Sequence, residues 1–264
     1  MSNVQIVPAI LVPSLQELEA SLARVTGAAR AVQIDVIDGR YVPNTTWPFG
    51  SGEQQAASSG GTFVEAKTSE PLTVDSGQKD IIQLPFAEEF EFEIDLMVER
   101  PLDIARAFIA AGAARIIIHA DAEGAREALE SLQSSRKGPS LRPVAKDSPL
   151  QLLIGVALSC DASLESLGAF EGLYDFVQVM GIEKVGFQGQ PFDKSAVELV
   201  AAVHAADPDL KIQVDGAVGE ETIPDLVRAG ATRLIVGSRI FASDDPKEAL
   251  RSLQMTVNSS QKGA

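Results

Sequence analysis

Short apolar runs alternate with longer amphipathic segments along almost the whole chain. Eight runs are predicted as strands, because each is nearly continuous in apolar residues. They are Val4–Leu11, Ala31–Ile37, Phe92–Val98, Arg115–His119, Leu152–Leu158, Tyr174–Met180, Lys211–Asp215 and Arg233–Val236. Strands of this composition are typical of a parallel sheet that is buried on both faces.

Seven segments between these strands carry apolar residues at helical spacing. They are Leu15–Val25, Leu102–Ala111, Ala125–Leu132, Ser163–Ala169, Ser195–Ala206, Ile223–Ala229 and Pro246–Leu253. Residues typical of helix starts precede three of them, namely Pro13-Ser14, Asp193 and Ser243–Asp245. Repeated βα units in a chain of 264 residues favour an α/β fold of the closed (β/α)8 TIM barrel type, with an open doubly wound sheet as the alternative.

Two segments interrupt this alternation. Residues 45–90 contain many Gly, Ser, Gln and Ala where the second helix would lie, and residues 134–148 are rich in Ser, Pro, Lys and Arg. Both are predicted as insertions within a single domain that spans residues 1–264, because neither has the character of a domain boundary. The first insertion follows a strand end that carries polar residues, so it is alternatively a lid over a site or part of a subunit contact.

Composition and charge exclude several classes of protein. The 22 Lys and Arg residues against 37 Asp and Glu give a net charge of −15, which disfavours a nucleic-acid binder because phosphate contacts need a basic surface. The single cysteine, Cys160, excludes an intrachain disulfide and a cysteine-based zinc site, and we expect a cytoplasmic protein. Pro8 and Pro13 interrupt the apolar N-terminal run, so no signal peptide is expected. No stretch reaches the roughly 18 apolar residues of a membrane span.

Polar residues stand at the ends of the predicted strands, where barrel enzymes carry their reactive groups. These are Gln33 to Gly39 on the second strand, Asp95 on the third, His119 on the fourth and Asp215-Gly216 on the seventh. Alternation along the second strand aims Gln33, Asp35 and Ile37 to the same side. A single strand-end Asp is usually a cap or turn residue, but Asp35, Asp95 and Asp215 together are predicted to converge at one mouth of the barrel.

Turns that contain glycine follow the last three predicted strands. They are Gly186-Phe187-Gln188-Gly189-Gln190, Gly216-Ala217 and Gly237-Ser238. Glycine lets backbone N–H groups approach and cradle an anion, and the turns after strands seven and eight are where barrel enzymes commonly bind phosphate. Any one glycine is explained by the turn itself, whereas the three turns together predict a phosphate site.

The sequence blocks at these strand ends resemble the ribulose-phosphate 3-epimerase family. The blocks follow the family order over nearly the whole chain, as Pro8–Leu11, Gln33–Asn44, Asp95–Val98, Val179-Met180, Gly186–Gln190, Val214–Val218 and Gly237–Phe241. Only the two insertions lack a counterpart. The resemblance implies a (β/α)8 barrel of the ribulose-phosphate-binding type in a homo-oligomer. It also implies an isomerase that inverts C3 of a ketose phosphate, interconverting D-ribulose 5-phosphate and D-xylulose 5-phosphate.

The same resemblance implies roles for individual residues. Asp35 and Asp215 match the two acid/base groups that flank the reacting carbon, between which an enediolate forms. The implied phosphate-binding positions are Gly186, Phe187, Gln188, Gly189, Gly216, Ala217, Gly237 and Ser238. Further positions around the substrate match Ala9, which stands where the family has Ser, and Met97, His119 and Met180. As alternatives, the two methionines are core residues and the histidine caps a backbone group.

The chain departs from the family pattern at the metal site. The family holds a divalent metal with two histidines and the two acid/base aspartates, and the histidines are replaced here by Gln33 and Asp95. The loss of both imidazoles disfavours Zn²⁺ and Fe²⁺. Gln33, Asp35, Asp95 and Asp215 remain as an all-oxygen site that favours Mg²⁺ or Mn²⁺. The alternative is a site without metal, in which at least one carboxylate stays protonated.

Three functions stay open from the sequence. The first is a ketose-phosphate 3-epimerase, with a hard metal or with none. The others are a phosphosugar-binding barrel with different isomerase or lyase chemistry, and a non-catalytic protein that binds phosphometabolites. A lysine at a strand end would favour aldol or decarboxylation chemistry, and none of the eight predicted strand ends carries one. The expected partner is a phosphorylated ketose, either a pentulose or a hexulose, with no nucleic acid and no membrane.

Overall fold

Eight parallel strands close into a barrel in chain order, with β8 paired to β1. A computed structural model describes residues 4–50, 82–136 and 152–262 of the chain. The strands are β1 (Gln5–Ile10), β2 (Ala31–Ile37), β3 (Glu91–Met97), β4 (Arg115–His119), β5 (Leu153–Leu158), β6 (Phe176–Met180), β7 (Lys211–Asp215) and β8 (Arg233–Val236). The predicted (β/α)8 barrel is confirmed, and the open sheet is excluded.

Helices pack around the outside of the barrel. Within the described ranges they are α1 (Leu15–Val25), α2 (Leu102–Ala110), α3 (Ala125–Arg136), α4 (Leu164–Gly168), α5 (Ser195–Ala206), α6 (Ile223–Ala229), α7 (Ser238–Phe241) and α8 (Pro246–Lys262). The short helix α7 is absent from the sequence prediction, because four residues are too few to show a helical period. Helix α8 continues beyond the predicted end at Leu253, since Val257 is buried on the same side as Leu250.

Local capping chemistry sets several helix ends. At the start of α1, the Ser14 hydroxyl accepts the backbone N–H of Glu17 at 3.3 Å. At the start of α8, Asp245 Oδ1 accepts the backbone N–H of Lys247 at 3.0 Å. Helix α6 ends at Gly230, whose φ of 112° is a conformation that glycine adopts without cost. The predicted helix starts at Pro13-Ser14 and at Asp245 therefore have a hydrogen-bonded basis.

The connection between β2 and β3 contains no helix in the residues that are described. Residues 38–50 are called the β2 turn. Thr46 of this turn makes hydrogen bonds back to the end of β2. Its hydroxyl donates to the carbonyl of Asp35 at 2.6 Å and accepts the N–H of Ile37 at 2.9 Å. Most of both predicted insertions, at 51–81 and 137–148, lies outside the described residues, so their place within a single domain stays a prediction. None of the described helices is long and apolar enough to cross a membrane.

The main hydrophobic core lies between the barrel wall and the helices. Alternate strand residues such as Ile34, Val36 and Ile116 are fully buried in it. Inside the barrel there are smaller apolar clusters, Val7 with Ala9 and Ile235, and Ile117 with Ala157 and Phe176. Between these clusters the interior is filled with polar side chains, which lead up to the carboxyl ends of the strands.

Candidate active site

Three carboxylates meet at the carboxyl-terminal mouth of the barrel. Asp35 on β2, Asp95 on β3 and Asp215 on β7 each offer an oxygen within 4.8 Å of the others, close enough to hold a metal ion. Asp35 and Asp95 are register partners on neighbouring strands, and both are buried. The convergence predicted from the strand ends is therefore present in the folded chain.

The barrel interior changes the acidity of two of these carboxylates. Burial raises the pKa of Asp35 from 3.8 to about 8, and the charge of Asp95 adds to the effect, while the hydrogen bond from Gln33 opposes it. Burial, followed by the charge of Asp35, also raises the pKa of Asp215 well above its usual value. Carboxyl groups with such pKa values can take up and release protons near neutral pH.

A cavity of about 450 Å³ opens above Asp35 and Asp215. Both carboxylates line it, together with Ala9, Met97 and Met180. The predicted phosphate positions line it as well, namely Gly186, Phe187, Gln188, Gly189, Gly216, Ala217, Gly237 and Ser238. The cavity thus brings together most of the candidate residues. Gln33, Asp95 and His119 are not among its lining residues. From within the barrel, Gln33 contacts Asp35 and His119 contacts Asp95.

His119 at the end of β4 is a partner of Asp95. Its Nε2 lies 3.1 Å from Asp95 Oδ1, and the ring is buried. Burial by itself would lower the pKa of His119, but the charge of Asp95 and the hydrogen bond between them outweigh it and raise the pKa above 6.5. Tyr41 of the β2 turn lies beside the imidazole with the ring centroids 5.3 Å apart. The neighbouring Asp95 therefore favours the protonated form of the imidazole.

Gln33 turns its amide nitrogen toward the carboxylates. Its Nε2 donates to Asp35 Oδ1 at 2.9 Å and to Asp215 Oδ2 at 2.5 Å. Its Oε1 accepts from Gln213 Nε2 at 3.1 Å. The all-oxygen metal site expected from the sequence therefore has an N–H donor where its fourth oxygen would be. In this orientation the three carboxylates fit a hard cation, but Gln33 does not fit as a ligand.

The turns after β7 and β8 have the backbone shape of an anion site. Gly216 and Ala217 have φ values of 108° and 52°, so both residues of the turn after β7 have positive φ. After β8, Gly237 directly precedes α7, which begins at Ser238. The first N–H groups of a helix have no partner within it, so they are available to an anion.

The turn after β6 (residues 181–191, the β6 turn) is held against the β2 turn. Asn44 Nδ2 donates to the carbonyl of Gly186 at 3.0 Å. Val42 approaches so closely that a Cβ atom at Gly186 would lie 2.6 Å from its Cγ2. Gly186 also has a φ of 83°, so both its conformation and its surroundings require glycine.

Gly186→Ala is therefore expected to destabilise the protein more than Gly189→Ala. Gly189 has a similar φ of 79°, but a Cβ atom there would meet nothing within 4 Å, so it is a matched control. We expect the free energy of unfolding to fall by about 1–3 kcal/mol more for Gly186→Ala, because only this variant forces the two turns apart. Urea denaturation measures the difference, and equal losses would show that the contact with Val42 is unimportant.

Some residues of the site are missed by the sequence analysis. On the cavity rim, Arg239 donates to Glu221 at 3.0 Å. Inside the barrel, a second group of buried polar residues lies below the carboxylates, namely Glu93, Gln178, Gln213 and Arg233. Glu93, Gln178 and Gln213 each lie two residues before a residue of the site on the same strand, namely Asp95, Met180 and Asp215. The period of two that pairs Gln33 with Asp35 is the signal that would have identified them.

Comparison with known sequences agrees with the geometry. The family model for the ribulose-phosphate 3 epimerase family matches residues 59–241. A ribulose-phosphate 3-epimerase of Eremothecium gossypii is 29% identical over 257 residues, which cover 96% of this chain and 92% of that protein. One from Bacillus subtilis is 28% identical over 260 residues, which cover 95% of this chain and 98% of that protein.

Solved structures of low sequence identity share the fold. The 3-hexulose-6-phosphate synthase from Salmonella typhimurium has a TM-score of 0.58 at 13% identity and covers 97% of this chain and 99% of its own. The orotidine 5'-phosphate decarboxylase from Pyrococcus horikoshii has a TM-score of 0.56 at 14% identity, with 96% and 99% covered. At such identities these structures show the barrel alone. Because the family model spans well over half of the sequence, this chain belongs to the ribulose-phosphate 3-epimerase family.

Proposed function

We propose that the protein inverts C3 of a ketose phosphate and interconverts D-ribulose 5-phosphate and D-xylulose 5-phosphate. The observation that carries the proposal is the pair Asp35 and Asp215, which reach one cavity from β2 and β7 and share the amide of Gln33. Epimerisation next to a carbonyl needs two acid/base groups, one on each face of the carbon. The names of the curated relatives support this reaction type.

The pKa values of the pair suit proton transfer in both directions. Burial raises the pKa of Asp35 to about 8 and that of Asp215 well above 3.8, so the pair can hold a proton near neutral pH. The ionised carboxylate removes the C3 proton, which lies next to the C2 carbonyl. The protonated carboxyl group then delivers a proton to the opposite face. For the reverse reaction the two groups exchange roles.

The turns after β6, β7 and β8 would hold the phosphate. Gly186, Gly216 and Gly237 border the cavity that Asp35 and Asp215 line. Binding of the phosphate there fixes the sugar, so that C3 is presented to both carboxylates in one orientation. Met97 and Met180 offer an apolar surface to the carbon chain. No lysine is among the described residues that line the cavity, which disfavours Schiff-base chemistry.

The groups of the chain itself carry the proton transfers. A metal ion is implied by the family resemblance, and Asp35, Asp95 and Asp215 are close enough to hold one. The N–H of Gln33 that faces two of these carboxylates does not fit a complete set of oxygen ligands. Of the chain's own groups, N–H donors at the cavity would offset the charge that builds up on the sugar oxygens in the transition state.

Conversion of D-ribulose 5-phosphate, followed by NMR, tests the proposed function. We expect formation of D-xylulose 5-phosphate with a kcat of about 1–10³ s⁻¹. D-Ribulose, which lacks the phosphate, is the control substrate. Its kcat/KM is expected to be at least about 10²-fold lower than that of D-ribulose 5-phosphate, because the glycine turns have no phosphate to bind. A hexulose 6-phosphate distinguishes the two substrate lengths. Failure to convert any ketose phosphate would contradict the proposal.

A further inference from the structure

A polar layer fills the barrel interior directly beneath the carboxylates. Its centre is Gln213, whose Nε2 lies 3.1 Å from Gln33 Oε1, 2.5 Å from Glu93 Oε1 and 2.8 Å from Gln178 Oε1, so its two N–H hydrogens are shared among three acceptors. Its Oε1 accepts from Arg233 Nε at 3.0 Å. All five side chains are buried, and every buried side-chain nitrogen and oxygen in the described part of the chain has a hydrogen-bond partner.

Arg233, at the side of the layer away from the carboxylates, sets the direction of these hydrogen bonds. A guanidinium group can only donate, and Arg233 donates to Gln5 Oε1 at 2.6 Å and to Glu93 Oε2 at 3.0 Å as well as to Gln213. Gln213 must therefore present its oxygen to the arginine and its nitrogen to the other glutamines. Rotating its amide would place its N–H groups against the guanidinium and its oxygen against the Glu93 carboxylate and the two glutamine oxygens, at the cost of several buried hydrogen bonds.

The same direction continues up to the site. Gln33 and Gln178 both accept from Gln213 with their oxygens, which leaves their nitrogens for the carboxylates. Gln33 Nε2 contacts Asp35 and Asp215, and Gln178 Nε2 donates to Asp95 Oδ2 at 3.0 Å. Each of the three carboxylates consequently receives an amide N–H whose orientation depends on Gln213.

We propose that Gln213 is a positioning residue that commits Gln33 and Gln178 to donate to the three carboxylates, so that amide N–H groups hold the acid/base pair together without a metal ion. This inference rests on the proposed function, since it concerns how that site keeps Asp35 and Asp215 close to each other. An N–H directed at a carboxylate offsets part of the repulsion between neighbouring carboxylates, as a cation would. It also occupies one of the carboxylate lone pairs that a cation would use, so we expect Mg²⁺ and Mn²⁺ to bind weakly.

Reversing the direction of the layer tests the inference. In Gln213→Glu the new carboxylate can accept but not donate. Gln33 and Gln178 are therefore expected to donate their N–H groups to this carboxylate and to turn their oxygens toward Asp35, Asp95 and Asp215. We expect Mn²⁺, measured by electron paramagnetic resonance without substrate, to bind at least about tenfold more tightly to this variant than to the wild-type protein. The wild-type protein is expected to convert D-ribulose 5-phosphate equally well before and after treatment with a chelator.

Two further variants keep the test decisive. The new carboxylate of Gln213→Glu lies beside Glu93, so Gln213→Met, which adds no charge, is measured in parallel. It is expected to lower kcat at least about tenfold while KM changes by less than about threefold, because the phosphate turns are untouched. The matched control is Gln254→Met on α8, whose amide donates to the carbonyl of Val4 outside the barrel, and we expect it to leave kcat, KM and Mn²⁺ binding unchanged.

The outcomes separate this inference from the proposed function. Tight Mn²⁺ binding by the wild-type protein that Gln213→Glu leaves unchanged, or conversion that stops on chelation and returns with Mn²⁺, would overturn the inference and leave the epimerase standing. If the wild-type protein converts no ketose phosphate, the proposed function fails, and the comparison of Mn²⁺ binding between wild type and Gln213→Glu still judges the inference on its own.

Discussion

Asp35→Asn and Asp215→Asn are each expected to lower the rate of epimerisation by at least about 10³-fold, and yet each is expected to retain hydrogen exchange at C3 with one of the two epimers. The reason is that each carboxylate serves one face of the carbon. When one carboxylate is lost, the other can still remove the C3 proton from the epimer whose C3 proton faces it. It can then return a deuteron from D₂O to the same face. Inversion needs both groups.

The two variants should therefore be complementary. If Asp35→Asn exchanges only D-ribulose 5-phosphate, Asp215→Asn should exchange only D-xylulose 5-phosphate, or the reverse. Proton NMR of each sugar phosphate in D₂O with each variant measures this. Asp209→Asn, on the exposed turn before β7, is the control and should behave as the wild-type protein. Exchange of both epimers by the same single variant would mean that one group reaches both faces, which contradicts the two-carboxylate mechanism.

Asp35→Asn is also expected to be more stable than the wild-type protein at pH 8, by roughly 2–5 kcal/mol, and this advantage should shrink toward pH 4. Burial and the charge of Asp95 raise the pKa of Asp35 from 3.8 to about 8 in the folded protein. Between these two values the folded state keeps a proton that the unfolded state has released. The stability of the wild-type protein therefore falls as the pH rises through this window, and an uncharged Asn avoids the loss.

Urea denaturation at several values between pH 4 and pH 8 measures this effect. The exposed Asp209→Asn serves again as the control, and its free energy of unfolding should stay within about 0.5 kcal/mol of the wild-type value throughout. A variant Asp35→Asn that is less stable than wild type at pH 8 would indicate that the ionised carboxylate is stabilised in the folded state, for example by a bound cation. A difference that does not vary with pH would contradict the raised pKa.

Much of the barrel could be predicted from the sequence because its strands are continuous apolar runs. Ala31–Ile37, Arg115–His119, Lys211–Asp215 and Arg233–Val236 have the bounds that the pattern predicts. The outer face of each strand packs against the helices and needs apolar residues, so the limits of the strand are visible in the composition even though the inner face carries polar residues such as Gln33 and Asp35. At the first strand the prediction extends one residue too far at each end, since Val4 and Leu11 are apolar but lie outside β1.

The convergence of Asp35, Asp95 and Asp215 could also be predicted from the sequence. Polar residues that end otherwise apolar strands are expected to share one mouth once the barrel closes. The glycines after β6, β7 and β8 are predicted for the same reason, and they border one cavity with Asp35 and Asp215. These inferences need only the position of a residue on its own strand.

The orientation of Gln33 could not be predicted in this way. It depends on Gln213, which is 180 residues further along the chain, and through it on Arg233. No local sequence pattern predicts which strands face each other across the barrel, or whether the oxygen or the nitrogen of an amide faces the carboxylates. The sequence therefore suggested an oxygen ligand at this position, whereas the folded chain places a nitrogen donor between two carboxylates.

The most direct test of the two-carboxylate mechanism is the hydrogen content of the first product formed in D₂O. The wild-type protein is given D-ribulose 5-phosphate, and the reaction is stopped when about a tenth has been converted. We expect the D-xylulose 5-phosphate to carry deuterium at C3 while the recovered substrate still carries protium, because one carboxylate removes the proton and the other delivers one that comes from solvent. A product that retains the substrate's own hydrogen at C3 would contradict the account.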